Sequence, residues 1–245
     1  MASWILGDLE RARALGEEAL ARADATGHAP TRANVYDLIS RYHVLRGDPE
    51  TVMRTAKIPL DLGRELGMAM WLTTGEMQSN WARVWLGDRE SGMTGLREAL
   101  AAYLGQGNKL FVPLFQGRLA ELEAEGQDVH GALRRIDETL ALANETGERW
   151  TDALLNRIRG EILLKRDPAN TAPAEEAFLA AIAVAQAQKT KSFELQAALA
   201  LAKLYQSTGR TAQAQAVLAP ALEGFSPTAE MPEIADAQAL LSRLA

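Results

Sequence analysis

The sequence predicts an all-α protein, a right-handed α-α superhelix of about six helical hairpins stacked with a period of about 40 residues. Three observations predict it. The chain of 245 residues contains 44 Ala and 35 Leu against 8 Val and 8 Ile. Ala and Leu lose least on entering a helix, whereas strands favour the β-branched residues that are scarce here. Gly27, Gly67, Gly107 and Gly147 follow one another at intervals of 40 residues, and Gly7, Gly47, Gly87 and Gly126 form a second series half a period out of phase. A leucine stands seven residues before each member of the first series: Leu20, Leu60, Leu100 and Leu140.

Two interleaved glycine series are the trace that a stack of hairpins leaves in a sequence. Glycine ending a helix takes the left-handed conformation that other residues reach only with strain. Asp8, Asp48 and Asp88 each follow such a glycine, placed to accept from the free N–H groups that open the next helix. Between the turns the apolar residues step by three or four, as in Leu133, Ile136, Leu140 and Ala143, which marks one face of a helix. A single hairpin cannot cover its own apolar face, so neighbours must stack. Leu60, Leu100 and Leu140 are expected to be equivalent buried positions.

The first element is incomplete by this register. Trp4-Ile5-Leu6-Gly7-Asp8 fills the slot of Val44-Leu45-Arg46-Gly47-Asp48 and of Val84-Trp85-Leu86-Gly87-Asp88, but almost no helix precedes it. The chain is therefore expected to be an excised piece of a longer polypeptide. The helix from Asp8 to Thr26 is expected to leave Leu9, Ala12, Leu20 and Ala23 incompletely covered, a strip that invites a dimer through the N-terminal end. Further on, residues 167–173 hold two prolines without apolar period and read as an exposed loop insertion. Helices are expected over 175–188, 193–206 and 211–225, the last kinked at Pro220. Residues 233–244 read as a capping helix with Ile234, Ala237, Leu240 and Leu241 on one face. No linker long enough to divide the chain is present, so residues 1–245 are expected to form one domain.

Composition excludes several functions. With 32 acidic and 26 basic residues the formal charge is −6, and no basic block offers a phosphate-binding face, so no nucleic-acid contact is expected. The absence of Cys removes disulfides, thiol nucleophiles and zinc–thiolate sites, in keeping with a cytoplasmic setting. No apolar run approaches membrane-spanning length, and the N-terminus has neither the basic region nor the apolar core of a signal peptide. His28, His43 and His130 show no metal-ligand spacing and read as surface or turn residues. Gly105-Gln106-Gly107-Asn108-Lys109 lacks the Gly-Lys-Ser/Thr ending of a phosphate loop and reads as a helix-end turn. Glu121, Glu123 and Glu125 read as a solvated helix end rather than a catalytic carboxylate pair. No enzyme activity, cofactor or metal is expected.

Glu148-Arg149-Trp150, Leu154 and the run from Arg157 through Leu164 resemble the C-terminal helical-repeat region of large bacterial signalling ATPases. Ala177-Phe178, Ile182-Ala183, Lys191 through Leu195, Leu201 through Leu204, Gly209-Arg210 and Leu218-Ala219-Pro220 continue the resemblance, as do Trp71-Leu72, Gly75 and Trp81-Ala82 earlier. Proteins of that family often carry class III adenylyl/guanylyl cyclase or DNA-binding domains ahead of a tetratricopeptide-like tail. The resemblance implies a noncatalytic interaction and regulatory module whose partner is a protein, a peptide or another domain of the parent protein. A second implication is an effector-sensing solenoid, since some ATP-dependent transcription activators bind an inducer on a similar array. The segment 226–232 departs from the family, which often has Gly-Phe-Asp-Thr before its final helix.

Stepping back 10, 6 and 2 residues from the turn glycine, as groove positions do in tetratricopeptide repeats, gives the candidate partner-groove residues. They include Asp37 and Arg41 before Gly47, Met77, Trp81 and Trp85 before Gly87, and Lys203 before Gly209. On one helix Trp71, Trp81 and Trp85 share an arc that Met70, Met77 and Val84 extend. That face either packs between hairpins or lines the concave groove, where Trp and Met would anchor a partner.

Overall fold

The computed structural model describes residues 1–244. Every regular element among them is helical. The α-helices are α1 (Ala2–Ile5), α2 (Leu9–Thr26), α3 (Ala29–Arg46), α4 (Pro49–Leu66), α5 (Ala69–Trp85), α6 (Arg89–Gly105) and α7 (Val112–Glu125). They continue with α8 (Val129–Thr146), α9 (Asp152–Arg166), α10 (Ala172–Gln188), α11 (Lys191–Ser207), α12 (Thr211–Leu222) and α13 (Glu233–Leu244). A 3₁₀ turn, Arg149–Thr151, leads into α9. No described helix is long and apolar enough to cross a membrane.

The chain forms two compact units. The first comprises Met1 and Glu10–Leu122; the second comprises Ala2–Leu9 and the chain from Glu123 onward. Within the first, α3 packs on α4, α4 on α5 and α5 on α6, and α3 also touches α5. Within the second, successive helices from α8 to α13 pack in the same way, and α9 touches α11. Contact between next-but-one helices is what stacked hairpins produce.

The glycine register has its physical basis at the helix ends. Gly47 has φ 72°, its N–H bonds to the Val44 carbonyl, and the N–H of Asp48 bonds to the His43 carbonyl, the paired closure that satisfies the last carbonyls of α3. Gly27, Gly67, Gly87, Gly107 and Gly147 also have positive φ. Gly126 does not. Gln127 holds φ 73° instead, with its N–H on Ala124 and the N–H of Asp128 on Glu123. Residue 127, not 126, is 40 positions beyond Gly87, so the spacing of the turns persists where the residue type changes. The Asp48 carboxylate accepts from the Thr51 N–H at 3.0 Å, and Asp128 caps α8 likewise through Gly131, whereas Asp88 makes no side-chain cap.

Glycines inside helices bring α4, α5 and α6 together. A Cβ on Gly63 would stand 2.5 Å from the Leu72 backbone nitrogen, and one on Gly92 would stand 2.8 Å from the Asn80 carbonyl. This packing alters the expected leucine equivalence. Leu100 is buried, but Leu60 and Leu140 are only half-buried. Leu60 lies over Gly75, where the missing side chain lets α4 approach without enclosing the leucine.

Three further expectations are corrected. Helix α10 begins at Ala172, with Pro173 in its first turn where a missing N–H is harmless, so the insertion loop is shorter than 167–173. Helix α12 ends at Leu222, two residues beyond Pro220, so it stops short of the expected end at residue 225. Leu9, Ala12 and Ala23 are buried and Leu20 is half-buried, so the expected uncovered strip is absent. The N-terminal segment is itself core. Trp4 is fully buried in the second unit, edge-on to Phe193 at 6.2 Å, and its indole N–H donates to the Glu230 carbonyl. The Ser192 hydroxyl donates to the Trp4 carbonyl at 2.5 Å.

Candidate functional site

Four of the candidate groove residues, Asp37, Arg41, Met77 and Trp81, are buried in the first unit, and two of them, Asp37 and Arg41, meet. Asp37, Ser40 and Arg41 share one face of α3 by their i, i+3, i+4 spacing. Arg41 pairs with Asp37 at 2.6 Å, and Gln78 of α5 donates its amide N–H to the other Asp37 oxygen at 2.7 Å. The Arg41 guanidinium lies over the Phe111 ring, 4.2 Å from its centroid. Phe111 has φ 64°, a conformation that a bulky residue keeps only when its surroundings hold it. Arg118 of α7 donates to the Val44 and Leu45 carbonyls at 3.2 and 3.0 Å and pairs with Glu121 at 2.9 Å, so it caps the end of α3.

Burial decides what these residues can do. The side chains of Asp37 and Arg41 are 5% and 7% exposed, and Met77 and Trp81 are buried with them. Neutralisation within the pair lets both charges enter the interior, where they join helices rather than face a partner. Trp85, one turn beyond Trp81, is 42% exposed, with the two rings 6.4 Å apart. The tryptophan face therefore crosses from core to surface along α5: Trp71 is buried and Met70 exposed. Glu123 is buried rather than solvated, held by Arg135 through two hydrogen bonds of 2.8 and 3.0 Å.

A polar cleft of about 660 Å³ lies between α4, α5 and α6. Arg64 and Arg83 alternate there with Glu76, Glu90 and Glu98, so no single sign of charge dominates.

The second unit holds a different cleft, of about 590 Å³, between α9, α10 and α11. Leu164, Phe178, Ala200 and Leu204 line it, and Lys203, the remaining candidate, lies among its lining residues with Glu161. Lys203 approaches Asp236 at 3.6 Å, with side chains 55% and 63% exposed. Glu161 pairs with Arg157. Nearby, Glu175 accepts from Tyr205 at 2.9 Å and from Arg210 at 2.7 Å, joining α10 to α11 and its following turn. Burial pushes the Glu175 carboxyl up, but the bonds from Arg210 and Tyr205 prevail and hold it below the usual glutamate range.

Gln78, Arg118 and Phe111 were not singled out by sequence reasoning. Gln78 and Arg118 stand 40 residues apart, at equivalent points of the repeat, so the period carried a signal for them. Phe111 had none, because its role depends on a backbone conformation. The period also relates Asp37–Arg41 of α3 to Arg157–Glu161 of α9, the same i, i+4 pair with its charges reversed. The sequence matches no protein-family model, and a comparison with curated proteins gives no significant match.

Proposed function

We propose that this protein is a noncatalytic interaction and regulatory module: a right-handed, tetratricopeptide-like superhelix of about six hairpins that serves as the C-terminal part of a bacterial signalling protein. In this reading the parent carries an ATPase and a cyclase or transcription-regulator domain. The observation that supports it most directly is the exposed end of α5. Trp85 and Leu86, 42% and 48% exposed, stand beside the rigidly buried Trp81. A large aromatic fixed by its neighbour and open to solvent has the properties of an interface anchor. Asp37, Arg41, Met77 and Trp81 then hold the helices that present this anchor. The test is a photo-crosslinking residue placed at Trp85 in cells. The expected result is one discrete protein adduct that Leu86→Glu abolishes. Diffuse labelling unaffected by Leu86→Glu would overturn the reading.

A second reading, effector sensing in the cytoplasm, is favoured by the cleft of the second unit, whose volume suits a small molecule.

A further inference from the structure

We propose that the cleft between α9, α10 and α11 binds a small anionic amphiphile, an apolar chain or ring of about eight carbons ending in a carboxylate. The inference rests on the effector reading and adds the ligand class.

The cleft has the dimensions and lining of a small-molecule site. Its volume of about 590 Å³ lies within the range of about 300–1,000 Å³ for such sites. Leu164 and Ala200, both half-buried, and Pro168 supply accessible carbon surface, and the buried Phe178 and Leu204 form the floor beneath them. The placement of Phe178 depends on Gly160: a Cβ there would stand 2.5 Å from the ring, so glycine lets the ring lie against the α9 backbone. At Ala200, half-buried on α11, only a methyl group projects, which leaves space.

The polar groups select among ligands by what each already does. The Ser207 hydroxyl donates to the Leu204 carbonyl at 2.8 Å, and the Thr208 hydroxyl donates to the same oxygen at 3.0 Å. Glu161 is neutralised by Arg157. A sugar needs several converging donors; Ser207 and Thr208 direct their protons inward and Glu161 is paired, which leaves the Thr171 hydroxyl as the neutral donor of the lining. The Lys203 ammonium differs. Its approach to Asp236, at 3.6 Å between two mostly exposed side chains, contributes little. A ligand carboxylate replaces Asp236 at Lys203 while its apolar part lies against Leu164 and Ala200. A cationic amphiphile would meet Lys203 with the wrong sign.

Isothermal titration calorimetry on the full chain tests this with octanoate, 1-octanol and octyltrimethylammonium. Octanoate is expected to bind at one site, more tightly than the other two, and maltose, titrated as a fourth probe, is expected not to bind. Lys203→Gln should weaken octanoate by about threefold to fivefold, the scale of an exposed ion pair, and leave octanol unchanged. Asp236→Asn should strengthen octanoate by removing the competing carboxylate. Ala200→Phe fills the cleft from a half-exposed position and should abolish binding of octanoate and octanol. Should Ala200→Phe fail to fold, the two exposed variants decide. Equal binding of octanoate by Lys203→Gln and Asp236→Asn, or undiminished binding by a folded Ala200→Phe, overturns the proposal. Maltose binding blocked by Ala200→Phe overturns the ligand class but keeps an effector site in the cleft. The absence of binding by every probe overturns the amphiphile assignment and leaves the partner reading at Trp85 untouched.

Discussion

Asp37→Asn and Arg41→Met, made singly and together, give the sharpest test of the network inside the first unit. The two side chains are 5% and 7% exposed and meet at 2.6 Å, so neither charge has water as an alternative partner. Removing one partner of such a pair typically costs about 3–5 kcal/mol, because the other charge stays buried alone. Asp37→Asn leaves the Arg41 guanidinium with the Phe111 ring as its other contact, and Arg41→Met leaves the carboxylate with the Gln78 amide. The double variant buries no unpaired charge, and replacing a buried ion pair by neutral side chains is often close to neutral, so its loss should fall below either single loss. The expected coupling is therefore at least about 3 kcal/mol, far above the roughly 0.5 kcal/mol seen for independent sites. Urea unfolding followed by far-ultraviolet circular dichroism measures all four proteins. Additive losses, or single losses below about 1 kcal/mol, would show that the pair is solvated and the reasoning wrong.

Leu100→Ala should cost about 2–5 kcal/mol, with smaller losses for Leu60→Ala and Leu140→Ala; equal losses in thermal denaturation would restore the equivalence of the three. Gln127→Gly should stabilise the protein by about 0.5–1 kcal/mol in urea titration, since it relieves a left-handed non-glycine residue and loses part of that gain to unfolded-chain entropy. Glu175→Gln should flatten the acid limb of the stability curve. A carboxyl held low in the folded state contributes stability above the ordinary glutamate range, and this is lost as pH falls through its folded value; an unchanged acid limb would count against the Arg210 and Tyr205 bonds. Trp4→Ala should cost about 3–5 kcal/mol in the unfolding of the second unit, and a loss below 1 kcal/mol would mean that the segment does not contribute to that core.

The all-helical class was legible because it rests on composition and on turns repeated at a fixed interval. That interval even marks position 127, where the glycine itself had moved by one residue. Packing depth was less legible. The offset of Leu60 from its turn matches that of Leu100, but a neighbouring glycine changes how α4 sits and leaves Leu60 partly open. At the candidate site, the step from Gly47 found Asp37 and Arg41 and the step from Gly87 found Met77 and Trp81. All four lie on buried faces of α3 and α5. Which of them would meet solvent depended on partners from elsewhere in the unit, Gln78 of α5, Phe111 of the turn before α7 and Arg118 of α7, that no local rule assigns. Lys203 was found by position, whereas the cleft beside it depends on Gly160 and Phe178, residues on two different helices.

The docking of α1 on α11 has a consequence for the order of events during synthesis. Trp4 leaves the ribosome long before Ser192 and Phe193, to which it is joined across 188 positions of sequence. Until those residues emerge, its indole has no native partner in the second unit and stays an adhesive group on the growing chain. Helical repeats otherwise form from contacts close in sequence and settle quickly, whereas the contacts of Trp4 require closure across 188 positions or more. A late, loop-closing phase reported by Trp4 fluorescence should therefore follow the early gain of helix, and deletion of residues 2–9 should remove that phase while the helical signal develops at its usual rate.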